Sequence, residues 1–151
     1  MPSDIARNRV EIMHGVNLDQ LGRRDPGHYG TLTLTALELQ ISGHAAELGL
    51  TTRFFQSNHE GAFVEHLHGL EDLADAIVLN PGAWTHYSYA IRDALEIAQL
   101  PAIEVHLSDV DAREPFRRHS VLEGLCAGRV TGRGADGYRD ALVMQKEELS
   151  S

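Results

Sequence analysis

The sequence predicts an α/β protein: a doubly wound domain of three layers, with helices on both faces of a five-stranded parallel sheet. Three observations predict it. Short apolar runs at 10–13, 50–56, 76–79, 102–106 and 127–131 alternate with segments of helical period. The run Ala76-Ile77-Val78-Leu79 is continuously apolar, as a strand buried on both faces requires. Most of the apolar runs stop at a polar turn, so each has room to cross back through a helix. Strands alternating with helices imply parallel βαβ units.

Taken in order, 9–13 reads as the first strand. Residues 14–30, from His14 to Gly30, are too polar and glycine-rich for a helix, and Pro26 biases Asp25 away from helical angles. Strand-to-helix connections usually take about 2–6 residues, so this longer one predicts a lid over a site. Leu34, Leu37, Ile41, Ala45 and Leu48 fall at helical spacing, with Thr33 able to cap the start and Gly49 closing the end. A second strand covers 50–56. A short helix with Phe63, Leu67 and Leu70 apolar follows, then the third strand, which Asn80-Pro81-Gly82 stops. A helix over 88–98 carries Ile91, Leu95 and Ala98 on one side, and 102–106 is the fourth strand. Residues 107–124 read as loop with at most one short helical turn. The weak strand at 127–131 contains Gly128 and Arg129, poor members of a central strand, which places it at an edge. A last helix spans 136–149. The 151 residues make one domain, with 1–8 expected to be a flexible tail.

Composition narrows the function classes. Twenty-two acidic against 13 basic residues give a formal charge of −9, which disfavours nucleic acid as a partner. No run approaches the ~18 apolar residues of a membrane span, and the N-terminus lacks the apolar segment of a signal peptide. The single Cys126 has no partner for an internal disulfide, which points to a reducing compartment such as the cytoplasm. An anionic small substrate is compatible with the charge if Arg23-Arg24 and Arg113, Arg117 and Arg118 converge locally.

Ligands of open α/β sheets bind beyond the carboxyl ends of the strands. Those ends here are 14–17, 57–60, 80–86 and 106–108, rich in amides, imidazoles and hydroxyls, a lining suited to a polyhydroxylated carboxylate. Arg24 lies five residues before Tyr29; a cation beside a phenol stabilises the phenolate, so Tyr29 can serve as a base. Asn80 carries a donor and an acceptor and can hold a hydroxyl and a carboxylate together. Strand period puts Glu104 and His106 on one face, where the carboxylate fixes the imidazole's tautomer and favours the imidazolium of a general acid. The backbone N–H groups of Leu107 and Ser108 are placed to bind a carboxylate. His66 and His68 are two apart on a helix and do not share a face, and no Cys, His and Asp set has zinc spacing, so neither metal nor cofactor is expected. A surface reading stands beside each of these: a solvated loop for the lid, a turn-forming Asn80, a basic surface segment at 113–120.

Several of these segments together carry a resemblance. Gly15, Asn17, Leu18, Leu21, Gly22, Arg24, Pro26, Tyr29 and Gly30 match the lid pattern of the type II 3-dehydroquinate dehydratases, which the stretch resembles. Asn80-Pro-Gly-Ala-Trp-Thr-His86, Glu104-Val-His-Leu-Ser108 and Arg113-Glu-Pro-Phe-Arg-Arg-His-Ser120 match three further patterns of that family, and the likeness runs over about residues 9–148. The chain departs from the family at His14, where Asn usually precedes the glycine, at Val16 in place of Pro, at Asp19 where Asn is common, and at Asp111 where His is frequent.

The resemblance implies a flavodoxin-like strand order, 2-1-3-4-5, and reversible dehydration of 3-dehydroquinate to 3-dehydroshikimate through an enolate. That step serves aromatic biosynthesis by the shikimate pathway or quinate breakdown. It implies Tyr29 as base activated by Arg24, Asn17 holding a water that stabilises the enolate, and His106, oriented by Glu104, as acid. It implies substrate contacts from Asn80, His86, Leu107, Ser108 and Arg117. Asp93 would reach a neighbouring subunit's site in a dodecamer built as a tetramer of trimers. The only lysine, Lys146, lies in the last helix, away from every strand end, which argues against an imine route. The alternatives are a non-catalytic flavodoxin-like binding module and a substrate-shifted relative of the dehydratases. A receiver module would want acids where His14 and Asn80 stand.

Overall fold

Strand β1 (Arg9–His14) pairs with β2 (Thr51–Gln56) on one side and β3 (Ala76–Asn80) on the other, with Ile12 level with Phe54 and Val78. Strands β4 (Ala102–His106) and β5 (Gly128–Thr131) extend the sheet, so the order is β2-β1-β3-β4-β5, parallel throughout. This is the expected flavodoxin-like arrangement. The computed structural model describes residues 6–151. Every residue of β3 and β4 is buried, whereas β2 and β5 are partly exposed at the edges.

Two apolar layers flank the sheet because alternate strand residues point to opposite faces. Val10, Ile12, Val78, Ile103 and Val105 meet α2 (Leu34–Glu47) and α5 (Asp136–Ser150) on one side. Met13, Ile77, Leu79 and Ala102 meet α3 (Glu60–His68) and α4 (Tyr89–Ala98) on the other. Thr33 caps α2 by accepting from Ala36 N–H at 3.2 Å, and Ser88 caps α4 by accepting from Ile91 N–H at 3.1 Å. The α2 stripe Leu37, Ile41 and Ala45 is at most 1% exposed. Full burial of a side chain the size of Leu37 or Ile41 contributes roughly 1.5–3 kcal/mol, and that of Ala45 less.

Two sequence expectations need correction. The 14–30 connection is not without helix: a 3₁₀ turn at Leu18–Gln20 and α1 (Pro26–Tyr29) lie in it. Asp25 caps α1 by accepting from Gly27 N–H at 2.9 Å, and Pro26 supplies the first helical φ, so Asp-Pro here starts a turn of helix. The 107–124 segment contains two 3₁₀ turns, Val110–Ala112 and Pro115–Arg118, where one at most was expected. Of the expected tail 1–8, residues 1–5 lie outside the described residues. Arg7 is tethered through its guanidinium to Leu149 O at 3.0 Å, and Asn8 N–H donates to Asp75 at 3.1 Å.

At the carboxyl end of the sheet, the loops after β1 and β3 touch backbone to backbone. Gly15 N–H donates to Asn80 O at 2.7 Å, and a Cβ on Gly15 would lie 2.3 Å from Pro81 O. Only glycine permits that approach. It brings Asn17 and Asn80, distant in sequence, to one rim.

Candidate active site

A cavity of about 120 Å³ opens at this rim. Asn17, Arg24, Tyr29, Asn80, His86, His106, Leu107, Ser108 and Arg117 line it, nine of the eleven expected site residues. Glu104 lies behind His106. Asp93 does not reach this cavity: it sits on the exposed side of α4.

Tyr29 ends α1 and is half-buried. Its hydroxyl oxygen accepts from Arg24 Nη2 at 2.8 Å and from Arg113 Nη1 at 2.7 Å. The Arg24 guanidinium also covers the ring, 3.7 Å from its centroid. Two cationic donors on one phenol oxygen leave its own proton free to go elsewhere, and an anion formed there would be held by two charge-assisted bonds. Arg113 also contacts Ser108 Oγ at 3.3 Å, which ties the lid to the β4 loop.

Glu104 and His106 share a face of β4, as strand period demands. Both are nearly fully buried, and His106 Nε2 meets Glu104 Oε2 at 2.5 Å. The carboxylate accepts, so Nε2 carries hydrogen and Nδ1 is the ring's other nitrogen. Thr85 Oγ1 donates to Oε2 at 2.5 Å and Ser120 Oγ to Oε1 at 2.8 Å. Burial pushes the Glu104 carboxyl up, but the bonds and charge of His106 with the two hydroxyls outweigh it and hold the group below the usual carboxylate range. Glu104 is therefore an anion at neutral pH, and it keeps His106 oriented.

His86 Nδ1 sits 2.8 Å from His119 O; a carbonyl only accepts, so Nδ1 is protonated. Burial lowers the His86 pKa, with His106 and Arg117 adding to the effect and the His119 carbonyl opposing it. The neutral ring presents Nε2 as an acceptor. Asn80 Oδ1 accepts from Gly82 N–H at 3.0 Å, which fixes the amide's orientation and leaves Nδ2 to donate. Arg117 is half-buried, paired with Glu114 at 3.0 Å and stacked over Phe116. Lys146 lines none of this cavity. Among the described residues no three His, Cys, Asp or Glu side chains are grouped as a metal site requires.

Sequence reasoning missed Arg113 as a direct partner of Tyr29, because 84 positions separate them and only the fold joins them. It missed Thr85 and Ser120 as well. For Thr85 the signal was available: a carboxylate in a buried strand needs donors, and Thr85 stands in the segment just after β3, whereas Ser120 lies in the loop between β4 and β5.

An ionised carboxylate orienting an imidazole, with a doubly cation-paired phenol lining the same cavity, defines an acid–base site at the carboxyl ends of a doubly wound α/β sheet. The family described as class II dehydroquinase matches residues 8–146. A 3-dehydroquinate dehydratase of Syntrophotalea carbinolica is 50% identical over 136 residues, 89% of this chain and 92% of that protein. One of Leptothrix cholodnii is 50% identical over 130 residues, 85% of this chain and 87% of that protein. The crystal structure of a type II dehydroquinase from Propionibacterium acnes superposes with a TM-score of 0.89 at 38% identity, covering 94% of this chain and 98% of that one. The chain belongs to the class II dehydroquinase family.

Proposed function

We infer that the protein is a 3-dehydroquinate dehydratase, a carbon–oxygen hydro-lyase that eliminates water from 3-dehydroquinate to give 3-dehydroshikimate. Family membership supports the reaction; the observation that carries its chemistry is Tyr29, gripped by Arg24 and Arg113, lining one cavity with His106 on Glu104. Tyr29, as phenolate, takes the proton from the carbon beside the ketone. The enolate is stabilised by a water held by Asn17. His106 then gives a proton to the departing hydroxyl on the next carbon, while Glu104 balances the imidazolium. Asn80 and the neutral His86 bind hydroxyls, the Leu107–Ser108 loop receives the carboxylate and Arg117 a further oxygen. Acid and base assistance are each worth about 10²–10⁴-fold, with positioning and enolate stabilisation adding the remainder.

The non-catalytic module is not favoured by the family assignment. Asp93, exposed on α4, completes a neighbour's site in a dodecamer assembled as a tetramer of trimers. Tyr87, Tyr89 and Ile97, each at least 60% exposed, give this side of the molecule apolar surface to bury. No helix among the described residues is long and apolar enough to cross a membrane; we place the enzyme in the cytoplasm on the reduced state that a lone cysteine suits. The test is direct: added 3-dehydroquinate should give the rising ultraviolet absorbance of a conjugated enone. A flat trace from folded protein would overturn the assignment.

A further inference from the structure

We propose that Asn58 and Asp19 are positioning residues that hold Asn17 in its working conformation. Asn17 has φ 69 and ψ 4, one of two non-glycine residues with positive φ among those described. Asparagine tolerates this region better than most residues but still needs it imposed. Its side chain makes no capping bond to the following 3₁₀ turn, so it is free to face the cavity that it lines.

The imposing group is Asn58, in the turn after β2. Its Oδ1 accepts Asn17 N–H at 2.8 Å and Gln56 Nε2 at 3.2 Å. Gln56 Nε2 also donates to Gly15 O at 3.2 Å, so one amide braces both sides of the β1 turn. Asn58 can do this only with its oxygen toward Asn17. Asp19 enforces that orientation: its Oδ2 accepts Asn58 Nδ2 at 3.1 Å, and a carboxylate cannot donate in return. Gln20 Nε2 donates to the same oxygen at 3.2 Å. The Asp19 charge is thus spent on two amide donors. It does not line the cavity.

The clamp rests on the dehydratase reading for its effect on turnover, but its geometry is testable without it. Asn58→Ala should lower kcat by about 10- to 100-fold with KM little changed, because Asn17 acts on the enolate rather than on bound substrate. Asn58→Asp should do the same by setting two carboxylates against each other. The exchanged pair Asn58→Asp with Asp19→Asn restores an acceptor toward Asn17 and a donor between the two side chains, at unchanged net charge. It should recover kcat to within about threefold. In parallel, hydrogen exchange at the Asn17 amide should accelerate in Asn58→Ala and return toward wild type in the exchanged pair. Thermal melts confirm that each variant is folded. Wild-type kcat in folded Asn58→Ala, no rescue in the folded exchanged pair, or an Asn17 amide indifferent to both changes would overturn the proposal. Absence of turnover in the wild type would overturn the dehydratase reading instead, and the exchange measurement would still decide the clamp.

Discussion

At the scale of single residues, the proposed site divides into groups assigned to meet substrate and groups that hold them. Tyr29→Phe removes the proposed base and leaves the ring and both arginines; turnover should fall by at least about 10²-fold while substrate still binds, as isothermal titration would register. Retained turnover in that variant would exclude Tyr29 as base. Arg113→Ala and Arg24→Ala each remove one of two donors to the phenolate, so each should lower kcat less than Tyr29→Phe, and the double variant should approach it. His106→Ala should cost about 10²–10⁴-fold, more than Glu104→Gln, which keeps a hydrogen-bonding partner for Thr85 and Ser120 but loses the charge. The opposite order in steady-state kinetics would make Glu104 the acid. The Glu104–His106 pair was legible in the sequence because strand period is local. Arg113 on Tyr29 was not, because no local rule links a lid to a loop 84 residues away.

At the scale of elements, the helices and strands followed from period and caps, and the misses fell where short-range chemistry competes. Asp25-Pro26 was read as a helix breaker, yet the same two residues begin α1 by capping and by preset φ. The order of the strands rested on the family likeness, since propensity speaks to neighbours in sequence and not across a sheet. Where β1 ends, His14 is fully buried between Phe54 of β2, Tyr138 of α5 and Glu38 of α2, whose carboxylate is 3.2 Å from Nε2. Burial pushes the His14 imidazole down to about 4 from 6.5. The fold therefore favours the neutral ring. Its contribution is complete above pH 6.5 and is lost as pH falls toward 4, because the unfolded chain takes up the proton first. The shift corresponds to about 3 kcal/mol. Burial raises the Glu38 pKa, an opposite slope that offsets part of this just above the ordinary carboxylate range. Urea unfolding at pH 7 and at pH 4.5 should show a smaller loss of stability for His14→Asn than for wild type; equal losses would place the buried charge elsewhere.

At the scale of the whole molecule, one sheet end collects the chemistry and one helix face points away from it. Asp93 is exposed on α4, and the neighbouring Tyr89 and Ile97 are 65% and 63% exposed. An aspartate that serves only its own solvent can be removed at little cost. One that crosses to a neighbour's cavity cannot. In a cyclic trimer each interface is heterologous, so every site would take Tyr29 from one subunit and Asp93 from the next. Asp93→Ala should then weaken substrate binding with its own Tyr29 and His106 intact, and Tyr29→Phe should be inactive with its own Asp93 intact. Dissociating the two variants and reassembling them in equal amounts should restore about a quarter of the sites, those with an intact tyrosine beside an intact neighbouring aspartate. If Asp93 served the cavity of its own chain, mixing would restore nothing. A fully active monomer by light scattering would remove the shared site altogether.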